Sequence, residues 1–193
     1  MKKEDLWDEI KFEINSINKS KKLQNEEILI GSGSKNADIL FIGDDSNLYE
    51  SENLNVKIGS SGEFLIKLCD IAEILPEDYY ITTLSKCTEN FRKLFDNDKK
   101  KLKEILDMQI ALINPKIIVA FGQDTAELLL ERDVDLKQEH GAIINWKGNI
   151  KLIISYDVSF AKKARESSDK KSQVANEFWK HIKAAKKLLS EFN

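Results

Sequence analysis

Cysteine and proline are nearly missing from this chain, each occurring twice in 193 residues. Two thiols, Cys69 and Cys87, cannot build a four-thiolate zinc or iron–sulfur site, so no metal cluster is expected and reduced, packed thiols are. With so little proline and only eight glycines, the composition leaves no long disordered linker. No apolar run approaches the roughly 18 residues of a membrane span. Met1-Lys2-Lys3-Glu4-Asp5 opens an amphipathic pattern rather than a signal-peptide core, so the cytoplasm is the expected location, with no membrane partner. Positive charge is not in excess either: 30 Lys and Arg against 33 Asp and Glu give −3, so a nucleic-acid partner would have to be met by a local basic patch.

What is present is centred on Ala37-Asp38-Ile39-Leu40-Phe41-Ile42-Gly43-Asp44-Asp45-Ser46-Asn47. Ile39 to Gly43 is almost wholly apolar, as suits a strand buried on both faces of a parallel sheet. Ligands of open α/β sheets bind beyond the carboxyl ends of such strands, which singles out Asp44 and Asp45. Three further strands are predicted, at Tyr79–Leu84, Lys116–Gly122 and Leu152–Ser155. Helical spacing of apolar residues predicts helices over 4–18, after a cap at Ser60 or Ser61, from Leu102 to Ile113, over 123–131, and from Val174 to Leu189. Between them lie a polar, lysine-rich lead-in (Asn18–Glu27), a short extended Ile28-Leu29-Ile30, a long irregular loop from Asp44 to Gly59, and an irregular hairpin from His140 to Gly148. Strands alternating with helices predict one α/β domain over 1–193, with 1–30 a helix and lead-in. Its expected architecture is a three-layer α/β/α sandwich on a four-stranded, mainly parallel sheet.

The order of these pieces resembles the uracil-DNA glycosylase superfamily, most closely its iron–sulfur-containing bacterial and archaeal branch. The resemblance runs from Gly31 to the C-terminus, about four-fifths of the chain. It rests on Gly31-Ser32-Gly33 before the 37–43 stretch, on Ile58-Gly59-Ser60-Ser61-Gly62, on Tyr80-Ile81-Thr82-Thr83-Leu84-Ser85-Lys86-Cys87, and on Ile113-Asn114-Pro115-Lys116 leading into Ile117–Gly122. A strand-to-loop junction at Ser155-Tyr156 completes it.

The resemblance implies an enzyme that flips a damaged base out of DNA and hydrolyses its N-glycosidic bond. It puts Asp45 at the family's water-positioning aspartate, and Asp44 where the iron–sulfur branch has glutamate. Ser46 and Asn47 stand in place of proline and glycine, Lys57 of a stacking phenylalanine, and Thr83 of a base-reading asparagine. Asp157-Val158 stands in place of histidine-proline, and the four cluster cysteines are missing. Asp45, Asp44 and Asp157 are thus the catalytic candidates, and Gly43, Ser46, Asn47, Lys57, Thr83 and Ser159 the base-pocket candidates. No metal ligand set and no cofactor is implied. Loss of the histidine matters most, because a donor aimed at the departing base stabilises its negative charge, which an ionised Asp157 does not.

Phe160, followed by Lys162, Lys163 and Arg165 and then by Lys170-Lys171, occupies the place of the loop that presses into the DNA minor groove. Phe160 is then a wedge and the cations phosphate contacts, with His140 a further backbone contact. Plainer roles stand beside these: acids at a strand end cap turns and helices, and charge runs are commonly solvated helix faces. His181 and the tryptophans read as structural. Two other functions stay open: a catalytically silent relative that binds DNA or a protein partner, and a nucleotide-processing protein with no tie to DNA.

Overall fold

A computed structural model describes residues 3–20, 30–87, 89–167 and 172–192. Ile28, Leu29, Lys170 and Lys171 lie outside the described residues, as does most of the predicted lead-in. The elements are α1 (Lys3–Ser20), β1 (Ser32–Gly33), β2 (Ile39–Gly43), α2 (Ser61–Ile71), β3 (Tyr79–Thr83), α3 (Asp96–Ile113) and β4 (Ile117–Phe121). They continue with α4 (Gln123–Leu130), α5 (Leu136–Glu139), β5 (Ile143–Trp146), β6 (Ile150–Ser155), α6 (Val158–Ser167) and α7 (Gln173–Phe192).

The sheet order is β1-β3-β2-β4-β6-β5. The four inner strands, β3, β2, β4 and β6, are parallel, and they are the four that the sequence predicts. Two antiparallel edge strands raise the described sheet to six, which corrects the four-stranded expectation. Periodicity misses both for physical reasons. β1 is two residues inside a Gly-Ser-Gly turn, and β5 is four residues, Ile-Ile-Asn-Trp, two of them exposed, so each is too short to show a strand period.

Every residue of β2, β3 and β4 is buried, as expected of strands covered on both faces. Alternation along each strand divides the interior in two. Leu40, Ile42, Tyr80, Ile118, Ala120, Leu152 and Ile154 pack with Trp7, Ile10 and Ile14 of α1 and Leu102, Ile105 and Leu106 of α3. Ile39, Phe41, Tyr79, Ile81, Val119, Phe121 and Ile153 pack with α2, α6 and α7 through Leu65, Ala161, Phe178 and Ile182.

Local signals set the ends of these elements. Ser60 Oγ accepts the Glu63 N–H at 3.2 Å and starts α2. Asn114 takes a left-handed conformation (φ 54°), closes α3 onto the Ile110 carbonyl at 2.8 Å, and hands the chain to Pro115. The loop expected after β6 is instead α6, begun after the two residues Tyr156 and Asp157. Its charged sequence hides the period, since only Val158 and Ala161 are buried.

Candidate functional site at the carboxyl ends of the parallel strands

Parallel strands in register end together, and here the shared edge is Gly43, Thr83, Phe121 and Ser155. Gly43 pairs with Thr83, Phe121 pairs with Ser155, and the Gly122 N–H donates to the Ser155 carbonyl at 2.9 Å. Three aspartates follow directly: Asp44 and Asp45 after β2, and Asp157 after β6.

Neighbours give the three carboxylates different work. Asp44 turns inward and accepts the Phe91 N–H at 2.9 Å through Oδ2. Burial raises its pKa from 3.8 to about 7; the Phe91 hydrogen bond opposes the shift, and the charges of Asp124, Asp157 and Asp45 add to it. Asp45 is held by its own turn, where Oδ1 accepts the Asn47 N–H at 2.9 Å and the Asn47 side-chain amide at 3.2 Å. Its Oδ2 accepts the Ser61 hydroxyl at 2.5 Å, tying the turn to the first residue of α2. Asp157 caps α6: Oδ1 accepts the Ser159 N–H at 2.9 Å, the Ser159 hydroxyl at 2.6 Å and the Phe160 N–H at 3.2 Å. Its other oxygen faces Gly122, 3.7 Å from where a β-carbon would stand.

A cleft of about 420 Å³ runs between the 45–61 loop and α6, lined by Asp45, Asn47, Lys57, Ile58, Ser61, Ser159, Lys162 and Lys163 among others. Six residues singled out in the sequence meet there: Asp45, Asn47, Lys57, Ser159, Lys162 and Lys163. Ser46 lies in the turn that Leu48 closes by donating its N–H to the Asp45 carbonyl. Ile58 is 91% and Phe160 51% exposed, two apolar side chains left in solvent on the loop and helix that form the cleft. Phe160 leans on Tyr156, with ring centroids 5.9 Å apart. Lys162 is paired with Glu166 at 2.6 Å, and Arg165 lies over the Phe64 ring in the adjoining groove.

Other predicted residues lie elsewhere. Gly43 is buried beneath Leu48, and the Thr83 hydroxyl lies 3.3 Å from the phenol of buried Tyr49, so neither lines the open cleft. His140 stacks on Tyr156 at 4.5 Å and lies beside His181 rather than in the cleft. The helix end at Gly62 closes the 45–48 turn: its N–H donates to the Asn47 carbonyl at 3.0 Å, and a β-carbon there would stand 2.1 Å from the Leu48 carbonyl oxygen.

Sequence reasoning missed Asp124 and Arg92. Asp124 enters the first turn of α4 at the end of β4, adds its charge to the Asp44 environment, and is ion-paired with Arg92. Burial raises its own pKa as well, against the pull of Arg92. The available signal was topological: β4 also ends at this edge, so the residues just after Gly122 belong with Asp44.

Against this geometry, the family model described as "Uracil DNA glycosylase superfamily" matches residues 30–183. The chain is 29% identical over 161 residues to the type-4 uracil-DNA glycosylase of Sulfurisphaera tokodaii, covering 79% of this chain and 72% of the relative. It is 31% identical over 113 residues to that of Saccharolobus solfataricus, covering 56% of this chain and 51% of the relative. For the Archaeoglobus fulgidus enzyme the figures are 28% over 100 residues, 51% and 50%, so these last two alignments span about half of each relative. With the family model spanning all four parallel strands and the acidic edge they share, the chain belongs to the uracil-DNA glycosylase superfamily.

Proposed function

We propose that the protein hydrolyses the N-glycosidic bond of uracil or another deaminated base in DNA. The observation that carries this reading is the common edge of the parallel strands, where Asp44 and Asp45 follow β2 and Asp157 follows β6; Asp44, its pKa raised by burial to about 7, can exchange a proton at neutral pH. Lys57, Lys162, Lys163 and Arg165 supply phosphate contacts on one side of the molecule, and Phe160 is the wedge that fills the gap left by an extruded base. Asp44 accepts a proton from water as that water attacks the sugar carbon. The N-glycosidic bond breaks, its electron pair leaves with the base, and an abasic site remains.

Asp157 has a different task from the histidine that the family resemblance would place there. Held as an acceptor at the head of α6, it faces positive charge developing on the sugar rather than negative charge on the base. Asp45, tied to Ser61 and Asn47, shapes the cleft wall beside the water.

Oligonucleotides carrying uracil, hypoxanthine or xanthine, single- and double-stranded, test the reading through the alkali-labile sites that cleavage leaves. Cleavage is expected, with a rate that rises through about pH 7. Asp44→Asn is expected to lower it by about 10²–10⁴-fold and to flatten that rise. Salt-sensitive binding without cleavage would instead establish a silent DNA-binding relative. The observation favouring that second reading is that the Thr83 hydroxyl is already engaged by Tyr49.

A further inference from the structure

His140, Glu177 and His181 stand outside the cleft, and nothing in the glycosidic reaction uses them. Their candidate ligand atoms all lie within 4.8 Å of one another. Two parts of the chain deliver them: His140 follows α5, while Glu177 and His181 are four residues apart on α7 and therefore share one helix face.

We infer that these three residues form a binding site for a divalent first-row transition ion of the zinc class, independent of the glycosylase cleft. Two nitrogens bound at about 2.0–2.1 Å to one tetrahedral ion lie about 3.3–3.4 Å apart. His140 Nδ1 and His181 Nε2 are separated by 3.4 Å. For a direct hydrogen bond between two rings that distance is long.

The surroundings are those of a ligand rather than of a packed histidine. His181 Nδ1 lies 2.9 Å from Ser155 Oγ; in the tautomer that carries its proton on Nδ1, that proton is donated to the hydroxyl and the Nε2 lone pair faces His140. Gly141 takes φ +82°, and a β-carbon there would stand 3.1 Å from His181 Nε2. The absence of a side chain keeps open the space beside the ligand atom. The His140 ring is further fixed against Tyr156.

Glu177 now pairs with Lys180 at 2.8 Å, and Lys180 is 63% exposed. A surface pair of this kind is worth little and yields readily to an ion. Two imidazoles and one carboxylate suit zinc or cobalt and not magnesium, which demands oxygen ligands. Water completes the fourth position. The ion would clasp α7 to the turn entering β5, against the end of β6.

Untagged protein stripped with a chelator and titrated with Co²⁺ tests the site. One equivalent is expected to bind with the visible d–d bands of a four-coordinate ion, to be displaced by Zn²⁺ but not by Mg²⁺, and to raise the melting temperature. His140→Ala and Glu177→Gln, both at partly exposed positions, are expected to abolish the bands and the thermal gain while leaving the metal-free melting temperature unchanged. Ser155→Ala is expected to weaken binding by about 10–100-fold. Failure of the native chain to bind a stoichiometric ion, or binding that survives His140→Ala with Glu177→Gln, would overturn the inference.

Discussion

Burial makes Asp44 an uncomfortable anion, and stability carries the mark of it. The unfolded chain holds this carboxyl at its ordinary 3.8 and the folded chain at about 7. Between those values the folded state binds the extra proton. Stability is therefore fully present below 3.8, falls as the pH rises toward 7, and levels off above it. Asparagine keeps an acceptor for the Phe91 N–H without the charge. The melting-temperature gain of Asp44→Asn over the native chain should accordingly grow from about pH 4 to about pH 7 and then stay constant, as thermal melts across that range would show. Asp45 is held by its hydrogen bonds: with Ser61 and Asn47 donating to it, Asp45→Ala should lose stability in thermal melts. The sequence marks both acids through the strand before them, and the resemblance gives the water to Asp45 with Asp44 assisting. The proposed mechanism reverses that division, on the strength of Phe91, Ser61 and Asp124, which arrive from other parts of the chain.

At the level of elements, two junctions carry the fold into the site. The α6 cap rests on the Asp157 oxygen rather than on its charge. Asp157→Ala should cost about 0.5–2 kcal/mol in urea unfolding, and Asp157→Asn only a few tenths. If cleavage nevertheless falls in Asp157→Asn, the charge itself acts in the reaction. On the opposite face, Gln109 of α3 donates to the Ile30 carbonyl at 2.9 Å and accepts the Thr82 hydroxyl at 3.2 Å, a buried network that Lys86 joins through Thr82. Gln109→Leu strands those polar groups and should cost about 1–3 kcal/mol, measurable by the same unfolding. Helix α3 was legible from its apolar spacing, but this stitching was not. The spacing sets Gln109 on the apolar face with Leu102, Ile105, Leu106, Ile110 and Ile113, but its partners Ile30 and Thr82 come from elsewhere in the chain.

Seen whole, the molecule places its acids at the ends of the strands and several cations on the loop and helix flanking them. A net charge of −3 conceals that division, and so composition alone argues against the polynucleotide that local charge favours. Replacing Lys57 and Lys163 by alanine should weaken DNA binding for every sequence alike. The slope of log affinity against log salt should become shallower by about 0.7–0.9 for each phosphate that is no longer neutralised, as titrations at several salt concentrations would reveal. The parallel core was readable in advance because strands covered on both faces need unbroken apolar runs. The edge strands were not, since pairing at a rim asks only for backbone, and α6 was not, since only Val158 and Ala161 of its charged sequence are buried. Gly62 adds a constraint of a different order. Its bare α-carbon lies so tightly under Leu48 that even a single methyl group would pry the turn and helix apart. The hinge between the 45–48 turn and the start of α2 therefore tolerates no side chain at this position, and Gly62→Ala should displace the wall of the cleft that carries Asp45 and Ser61.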